Sequence, residues 1–373
     1  MSVSGEKKMI VMAVTNDLVT DRRVQRHAAT LREAGYEVTL VGKNDLGMKA
    51  KKGWRFYAEY NIRLLFRLLK EKADVIWAND TDTLLGCYVA SRMKRTRLVM
   101  DAHELFPEVP ELVDRPRVKR VWERLERKLM PKCDALLTVC QSIADYYKER
   151  YGVEMTVVRN VPEMEGVKGS EKGVRGSERT KVLLYQGAVN KGRGVDWAID
   201  ALEFLPDCRL VVAGEGDLFE EMKSYAAQKP WADRIEFLGR LTPEELERLT
   251  PTADVGLVML EEMGLSYHFA LPNRIGDFVA AGVPMVVSDM PEMAAVVRRF
   301  GVGEIIEGVK GSEEIENSKL KIEKKCSLAL AESVKKVLAR VWSKEDFAEA
   351  RKDMDWNKEK EKLIECVKLK IQN

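Results

Sequence analysis

Short apolar runs alternate with helix-length segments along most of this 373-residue chain, and this alternation limits its fold more than any other feature. In the first half the runs are Met9–Val14, Val38–Val41, Val75–Ala78, Leu98–Met100, Leu136–Val139 and Thr156–Val158. Side chains alternate across a strand, so a run apolar at successive positions is apolar on both faces. Such strands suit a parallel sheet covered by helices. The stretches between them, such as Arg22–Ala34 and Val118–Met130, carry apolar residues at helical spacing. The alternation predicts βαβ units in a doubly wound sheet.

Near residue 160 the pattern breaks. Glu165–Thr180 (EGVKGSEKGVRGSERT) is polar and glycine-rich and reads as a linker. Its heptapeptide Glu165–Glu171 recurs word for word at Glu307–Glu313. A copy so short is no folding unit, so both are expected as exposed loops. Runs at Val182–Tyr185, Leu210–Ala213, Ile235–Leu238, Val255–Leu260, Met285–Val287 and Glu304–Ile306 then predict a second parallel sheet. Helices are expected at Val195–Phe204, Glu244–Leu249 and Asn273–Ala281, with Leu328–Val341 and Trp356–Ile371 closing the chain. The fold class is therefore α/β, with two doubly wound Rossmann-like domains facing across a cleft. Ligands of such sheets bind beyond the carboxyl ends of the strands, and clefts between domains are common small-molecule sites.

Composition narrows the function. Lys and Arg total 62 against 60 Asp and Glu, a balance that argues against a nucleic-acid partner. The six cysteines form no Cys-x-x-Cys pair and there are only three histidines. A reduced, cytoplasmic protein without a His-rich metal site is expected. Lys7 and Lys8 precede an apolar run too short for a secretory signal, and no stretch approaches the ~18 apolar residues of a membrane span.

Several motifs sit where strands end. Leu271–Ser288 (LPNRIGDFVAAGVPMVVS) reads as a helix with Pro272 in its first turn and Gly282 at its stop, then a buried strand. Its mid-helix Asp277 suits a pair of ribose hydroxyls; an ordinary exposed helix acid is the plainer reading. Tyr185–Val195 (YQGAVNKGRGV) runs from a strand through a basic, glycine-rich loop into a helix. Gly187 and Gly194 allow close backbone approach, while Lys191 and Arg193 add charge for a diphosphate. The P-loop pattern is absent. Val212–Asp217 (VAGEGD) holds Gly214 and Gly216, but Phe219 replaces the third glycine of a dinucleotide fingerprint. Met100–Pro110 (MDAHELFPEVP) brings His103, Glu104 and Glu108 to a strand end, where they suit sugar hydroxyls or a proton relay. Asp80 and Asp82 bracket Thr81 after another strand and are expected to cap a helix or face an acceptor. Arg115–Lys132 is a basic amphipathic helix, either interfacial or core-facing with a solvated back.

Leu271–Ser288 and Leu98–Glu111, together with the Tyr185–Val195 loop, resemble the retaining family-four glycosyltransferases, which have the two-domain GT-B fold. That resemblance implies a role for each of the following residues, and domain bounds and partners with them. Asp277 takes the place of the family's ribose-binding glutamate. Phe269 stands where the family has an acid over the donor sugar, leaving Glu261 or Glu262 as substitutes, and Leu271 and Asn273 border the donor. Arg193 and Gly194 face the diphosphate. Ala188 stands where a second basic residue is usual, so Lys191 supplies that charge. Gly187, Gly214 and Gly216 lie near the nucleotide, and Arg240 and Leu241 hold its base. His103, beside Glu104, meets the donor sugar. Asn16, Arg22, Arg23, Asp80 and Asp82 lie on the acceptor side. The domains would span 1–163 and 181–345, joined by a linker over 164–180, with 346–373 crossing back to the first. No metal and no cofactor are needed. The partners would be a nucleoside diphosphate sugar and a glycan or lipid-carrier acceptor, with peripheral contact at the cytoplasmic membrane surface. A nucleotide-sugar epimerase and an inactive sugar-nucleotide-binding subunit remain the alternatives.

Overall fold

The apolar runs of the first half form strands β1 (Met9–Ala13), β2 (Glu37–Val41), β3 (Val75–Asn79), β4 (Arg97–Ala102), β5 (Ala135–Thr138) and β6 (Thr156–Val157). Between them lie helices α1 (Arg22–Glu33), α2 (Gly53–Lys70), α3 (Thr81–Lys94), the short α4 (Pro110–Val113), α5 (Pro116–Leu129) and α6 (Gln141–Tyr151). The computed structural model describes residues 7–16, 18, 21–51, 53–164, 179–307 and 319–371. The stretch expected as a linker falls outside these over 165–178, as does the repeated heptapeptide from residue 308. The strands pair in parallel in the order β2-β1-β3-β4-β5-β6. β3 is buried along its whole length, as a strand covered on both faces must be. Asp21 starts α1 by accepting the Val24 amide at 3.1 Å.

The second series gives β7 (Lys181–Gln186), α7 (Val195–Ala201), β8 (Cys208–Ala213), α8 (Phe219–Ala227), β9 (Ile235–Gly239), α9 (Pro243–Leu249) and β10 (Val255–Val258). It continues with α10 (Leu265–His268), α11 (Asn273–Ala281), β11 (Met285–Ser288), α12 (Pro291–Phe300), β12 (Gly303–Ile306), α13 (Lys319–Ala339), α14 (Ala348–Asp353) and α15 (Trp356–Ile371). This sheet is also parallel, in the order β12-β11-β10-β7-β8-β9. One face packs Tyr185, Leu210 and Leu257 against Trp197, Leu330 and Val334. The other packs Leu184, Val258 and Val287 against Ile275, Phe278 and Phe347. Gly282 ends α11 in the left-handed conformation, as its position suggested, while Pro272 stands one residue ahead of the helix.

Two compact units result. The first runs to Asn160 and takes up the chain again from Asn357, and the second spans Val161–Trp356. The crossing therefore comes later than residue 346. Phe347, Ala350 and Met354 are buried in the core of the second unit. Arg351 donates to Val279 O and Ala280 O at the end of α11, at 3.1 and 3.0 Å. From residue 357 the bonds belong to the first unit: Arg159 donates to Glu359 from both its amide and its Nε at 2.9 Å. No described helix is long and apolar enough to cross a membrane.

Candidate functional site

In the first sheet the winding reverses between β1 and β3, and ligands of such sheets bind beyond the strand ends at that point. Asn79 closes the end of β3 onto β1, donating from Nδ2 to Ala13 O at 2.9 Å. Asp80 follows with φ of 62°, a conformation that strains any residue with a Cβ. Its carboxylate does not cap α3. Instead it accepts the His103 amide at 2.7 Å and lies 3.3 Å from His103 Nδ1.

His103, just past β4, is held between two acids. Its Nε2 is 3.4 Å from Asp101 Oδ2. Burial disfavours the imidazolium, but Asp80 and Asp101 outweigh it and raise the His103 pKa to about 9. At neutral pH His103 is thus a cationic donor. In that state His103 can give a proton or a hydrogen bond but cannot take a proton until it has given one up. The neighbouring Glu104 is exposed.

Asp101 is fully buried and serves three cations or donors. Arg23 grips it with Nε at 2.9 Å and Nη2 at 2.6 Å, and gives Nη1 to Val158 O at 2.6 Å. His27 Nδ1 lies 3.2 Å from Oδ2. Burial opposes the Asp101 carboxylate, yet Arg23 and the histidines hold its pKa well below the usual range. Burial, with Arg23, lowers the His27 pKa to about 4, so His27 is neutral. Arg23 is therefore not a surface group reaching an acceptor: it is buried and its guanidinium is spent on Asp101 and Val158. Asp82 is also buried rather than facing an acceptor, and accepts the Thr15 hydroxyl at 2.6 Å. Burial and then Asp80 push its pKa up to about 8. Of the remaining acceptor-side residues, Arg22 is half-buried, and Asn16 is exposed with its amide 3.3 Å from Asp21. The sequence reading missed Glu126, which is buried and accepts hydroxyls from Thr81 (2.6 Å), Tyr147 (2.9 Å) and Tyr151 (3.2 Å). It ties α5 to the residue after Asp80.

In the second sheet the winding reverses between β7 and β10. The loops after β7, β8 and β9 are stitched by their backbones: Gly187 N donates to Ala213 O at 2.9 Å, Gly214 N to Gly239 O at 2.7 Å, and Val189 N to Glu215 O at 3.0 Å. A Cβ on Gly214 would lie 1.8 Å from Gly187 O, so only glycine lets these loops meet. Gly216 is equally close, a Cβ there falling 2.2 Å from Asn190 Oδ1. Gly194 opens α7, and Arg193 stacks over the Tyr267 ring at 4.7 Å. Lys191 is exposed.

Asp277 is half-buried on α11, and Gln186, the last residue of β7, donates to it at 3.1 Å. Thr250 fixes that amide from the other side at 2.9 Å. The acid thus stands at the strand end rather than in open solvent. Asn273 and Arg240 are exposed, and Leu271 and Leu241 are half-buried against the core. Phe269 packs on His268 with ring centres 5.0 Å apart. His268 Nδ1 lies 3.0 Å from Glu262, and the Glu261 amide donates to Gly192 O at 2.9 Å. The sequence reading also passed over Arg274, the basic residue inside LPNR. It is buried, donates to Gln186 O at 3.1 Å and Met259 O at 3.3 Å, and lies over the Tyr185 ring at 4.9 Å. Among the described residues no group of His, Cys, Asp and Glu is arranged to hold a metal ion.

Two Rossmann-like units, each with polar groups gathered at its switch point, are the architecture of the GT-B fold. Residues 20–162 match the domain described as Glycosyltransferase Family 4, and residues 180–339 match Glycosyl transferases group 1. The chain belongs to this family of glycosyltransferases. It is 22% identical over 398 aligned positions to the chitobiosyldiphosphodolichol beta-mannosyltransferase of Candida albicans, covering 89% of this chain and 84% of that protein. Among solved structures it resembles sucrose-phosphate synthase from Thermosynechococcus elongatus (TM-score 0.73, 13% identity, 97% and 99% of the two chains). It likewise resembles Anabaena HepE in complex with UDP-glucose (TM-score 0.67, 14% identity, 96% and 99%).

Proposed function

We propose that this glycosyltransferase moves a sugar from a nucleoside diphosphate donor to a hydroxyl of a glycan or lipid-linked acceptor, with retention at the anomeric carbon and without a metal. The carrying observation is Asp277, held by Gln186 at the end of β7 beside the glycine loop that bears Arg193. In this reading the carboxylate takes the ribose hydroxyls, and Arg193, with Lys191, meets the diphosphate. Gly187, Gly194, Gly214 and Gly216 let the backbone pass close to the nucleotide. Leu271 and Asn273 border the donor, and Arg240 and Leu241 contact its base. Positive charge placed there stabilises the negative charge that develops on the leaving group.

The first unit supplies the acceptor surface, with Asn16, Arg22 and Asp80 around its switch point. His103 and Glu104 serve the reacting sugar. An imidazolium at His103 favours charge stabilisation over base catalysis, which agrees with the leaving phosphate itself taking the acceptor proton. The complex of HepE with UDP-glucose supports a nucleotide-sugar donor. The name of the Candida relative, whose acceptor is a diphosphodolichol-linked sugar, favours the lipid-linked arm.

A lipid-linked acceptor also gives meaning to α5. Its apolar stripe is divided: Trp122 and Leu129 are buried, while Val118 and Val121 are 44% and 58% exposed among the exposed Arg117, Arg120 and Arg124. Tyr57 joins α2 to α5 through Trp122, with ring centres 5.0 Å apart. Trp54 on α2 is 76% exposed. Apolar groups rimmed by arginine suit an anionic lipid surface, and the protein would act there from the cytoplasm.

The test is calorimetry with UDP, GDP and ADP, followed by transfer assays with the sugar nucleotide of the base that binds, with and without EDTA. NMR of the product reports its anomeric configuration. Binding without any transfer or donor hydrolysis assigns the protein as an inactive binder. No affinity for any nucleotide refutes the donor reading, and an inverted product refutes retention.

A further inference from the structure

We propose that Arg274 is a second cation for the donor's diphosphate, placed by α11 beside the ends of β7 and β10. The inference rests on the donor reading above and adds a residue to it. The guanidinium bridges two carbonyls at the switch point: Gln186 O at the end of β7 and Met259 O just past the end of β10. Gly187, the next residue after β7, leaves it room, because a Cβ there would fall 2.6 Å from Arg274 Nη1.

The charge is poorly matched within the protein. Arg274 is 6% exposed, its Nε is buried without a hydrogen-bond partner, and no carboxylate pairs with it among the described residues. Arg193 Nε is also buried without a partner. Each guanidinium lies on a tyrosine ring, Tyr185 for Arg274 and Tyr267 for Arg193. Burial chiefly, and the Arg193 charge in addition, lower the Arg274 pKa, so the two cations oppose one another. A neutral donor would bridge the same two carbonyls without the cost of burying a charge. Two planar forks with spare donors fit a ligand that brings compact negative charge and several acceptor oxygens, as a diphosphate does. Lys191, which the sequence suggested for this task, is exposed and is a flexible point charge.

The experiment compares wild type, Arg274→Gln, Arg274→Lys and Arg193→Ala by calorimetry with inorganic pyrophosphate and with UDP and GDP. Gln keeps a donor for the strand-end carbonyls but removes the charge, and is expected to weaken pyrophosphate and nucleotide binding about 10- to 100-fold. Lys keeps the charge without the fork and should fall between. In the wild type, the Arg274 Nε–H resonance should shift on addition of pyrophosphate; a purely structural clamp would leave it unmoved. If both Arg274 variants bind as wild type while Arg193→Ala weakens, the assignment of Arg274 is wrong and the donor reading stands. If Arg193→Ala is also without effect, the donor reading itself fails. Should Arg274→Gln not fold, an Nε–H signal unchanged at saturating pyrophosphate overturns the assignment.

Discussion

Replacing Asp101 by Asn tests the polar centre of the first unit. Asp101 is fully buried, and Arg23, with a side chain 4% exposed, donates two hydrogen bonds to it at 2.9 and 2.6 Å. Asn preserves the shape but removes the charge, and it directs an N–H₂ group at the Arg23 fork. Removing one partner of a buried pair leaves an uncompensated charge, which costs about 3–5 kcal/mol. For a unit of this size, each kcal/mol lowers the melting temperature by about 2–4 °C. The first unit should therefore melt about 6–20 °C lower by circular dichroism, with the second unit little changed. The same substitution takes one of two carboxylates from His103. Its imidazole, titrated by NMR, should drop from about 9 toward the ordinary value near 6.5. A loss of stability below about 1 kcal/mol, or a His103 still titrating near 9, would show that Asp101 does not organise this cluster.

Three further outcomes follow from the same contacts. His103 binds its proton more tightly folded than unfolded, so its stabilisation is complete below pH 6.5 and is lost as the pH rises through about 9. Asp82, raised to about 8, acts with the same sign; stability of the first unit should fall between pH 6.5 and 9, and His103→Gln should flatten that slope in urea titrations. Asp277→Ala should weaken nucleoside diphosphate binding about 10- to 100-fold in calorimetry, since a charged hydrogen bond is lost; unchanged affinity removes Asp277 from the ribose. On α5, changing Arg117, Arg120 and Arg124 to Glu should abolish sedimentation with anionic vesicles, each lost cation costing about 1 kcal/mol, and equal binding by the variant would discard the docking face.

What was legible from residues alone has a local cause. The inner strands are buried on both faces and so apolar at successive positions, and every predicted run became a strand near its expected bounds. Helix α11 was visible for the same reason, through Gly282 and its apolar period. The residues that sequence could single out are those beside a strand end, such as the Gly187–Gly194 loop after β7 and Asp277, which Gln186 of β7 holds. Helix α2 escaped because its apolar residues ring the helix, with Ile62 and Phe66 turned outward.

Partnership and charge state needed the fold. Arg23 and Asp101 are 78 positions apart, and only the folded chain brings them together and removes Arg23 from the surface. The motif of His103 left its charge state open; Asp80, from the end of the neighbouring strand, and Asp101 favour the cation. Arg274 is an unremarked helix residue until α11 lies across the ends of β7 and β10. Periodicity is carried by neighbours in the chain, whereas burial and electrostatic pairing depend on neighbours in space, and those are set only once the sheets are assembled.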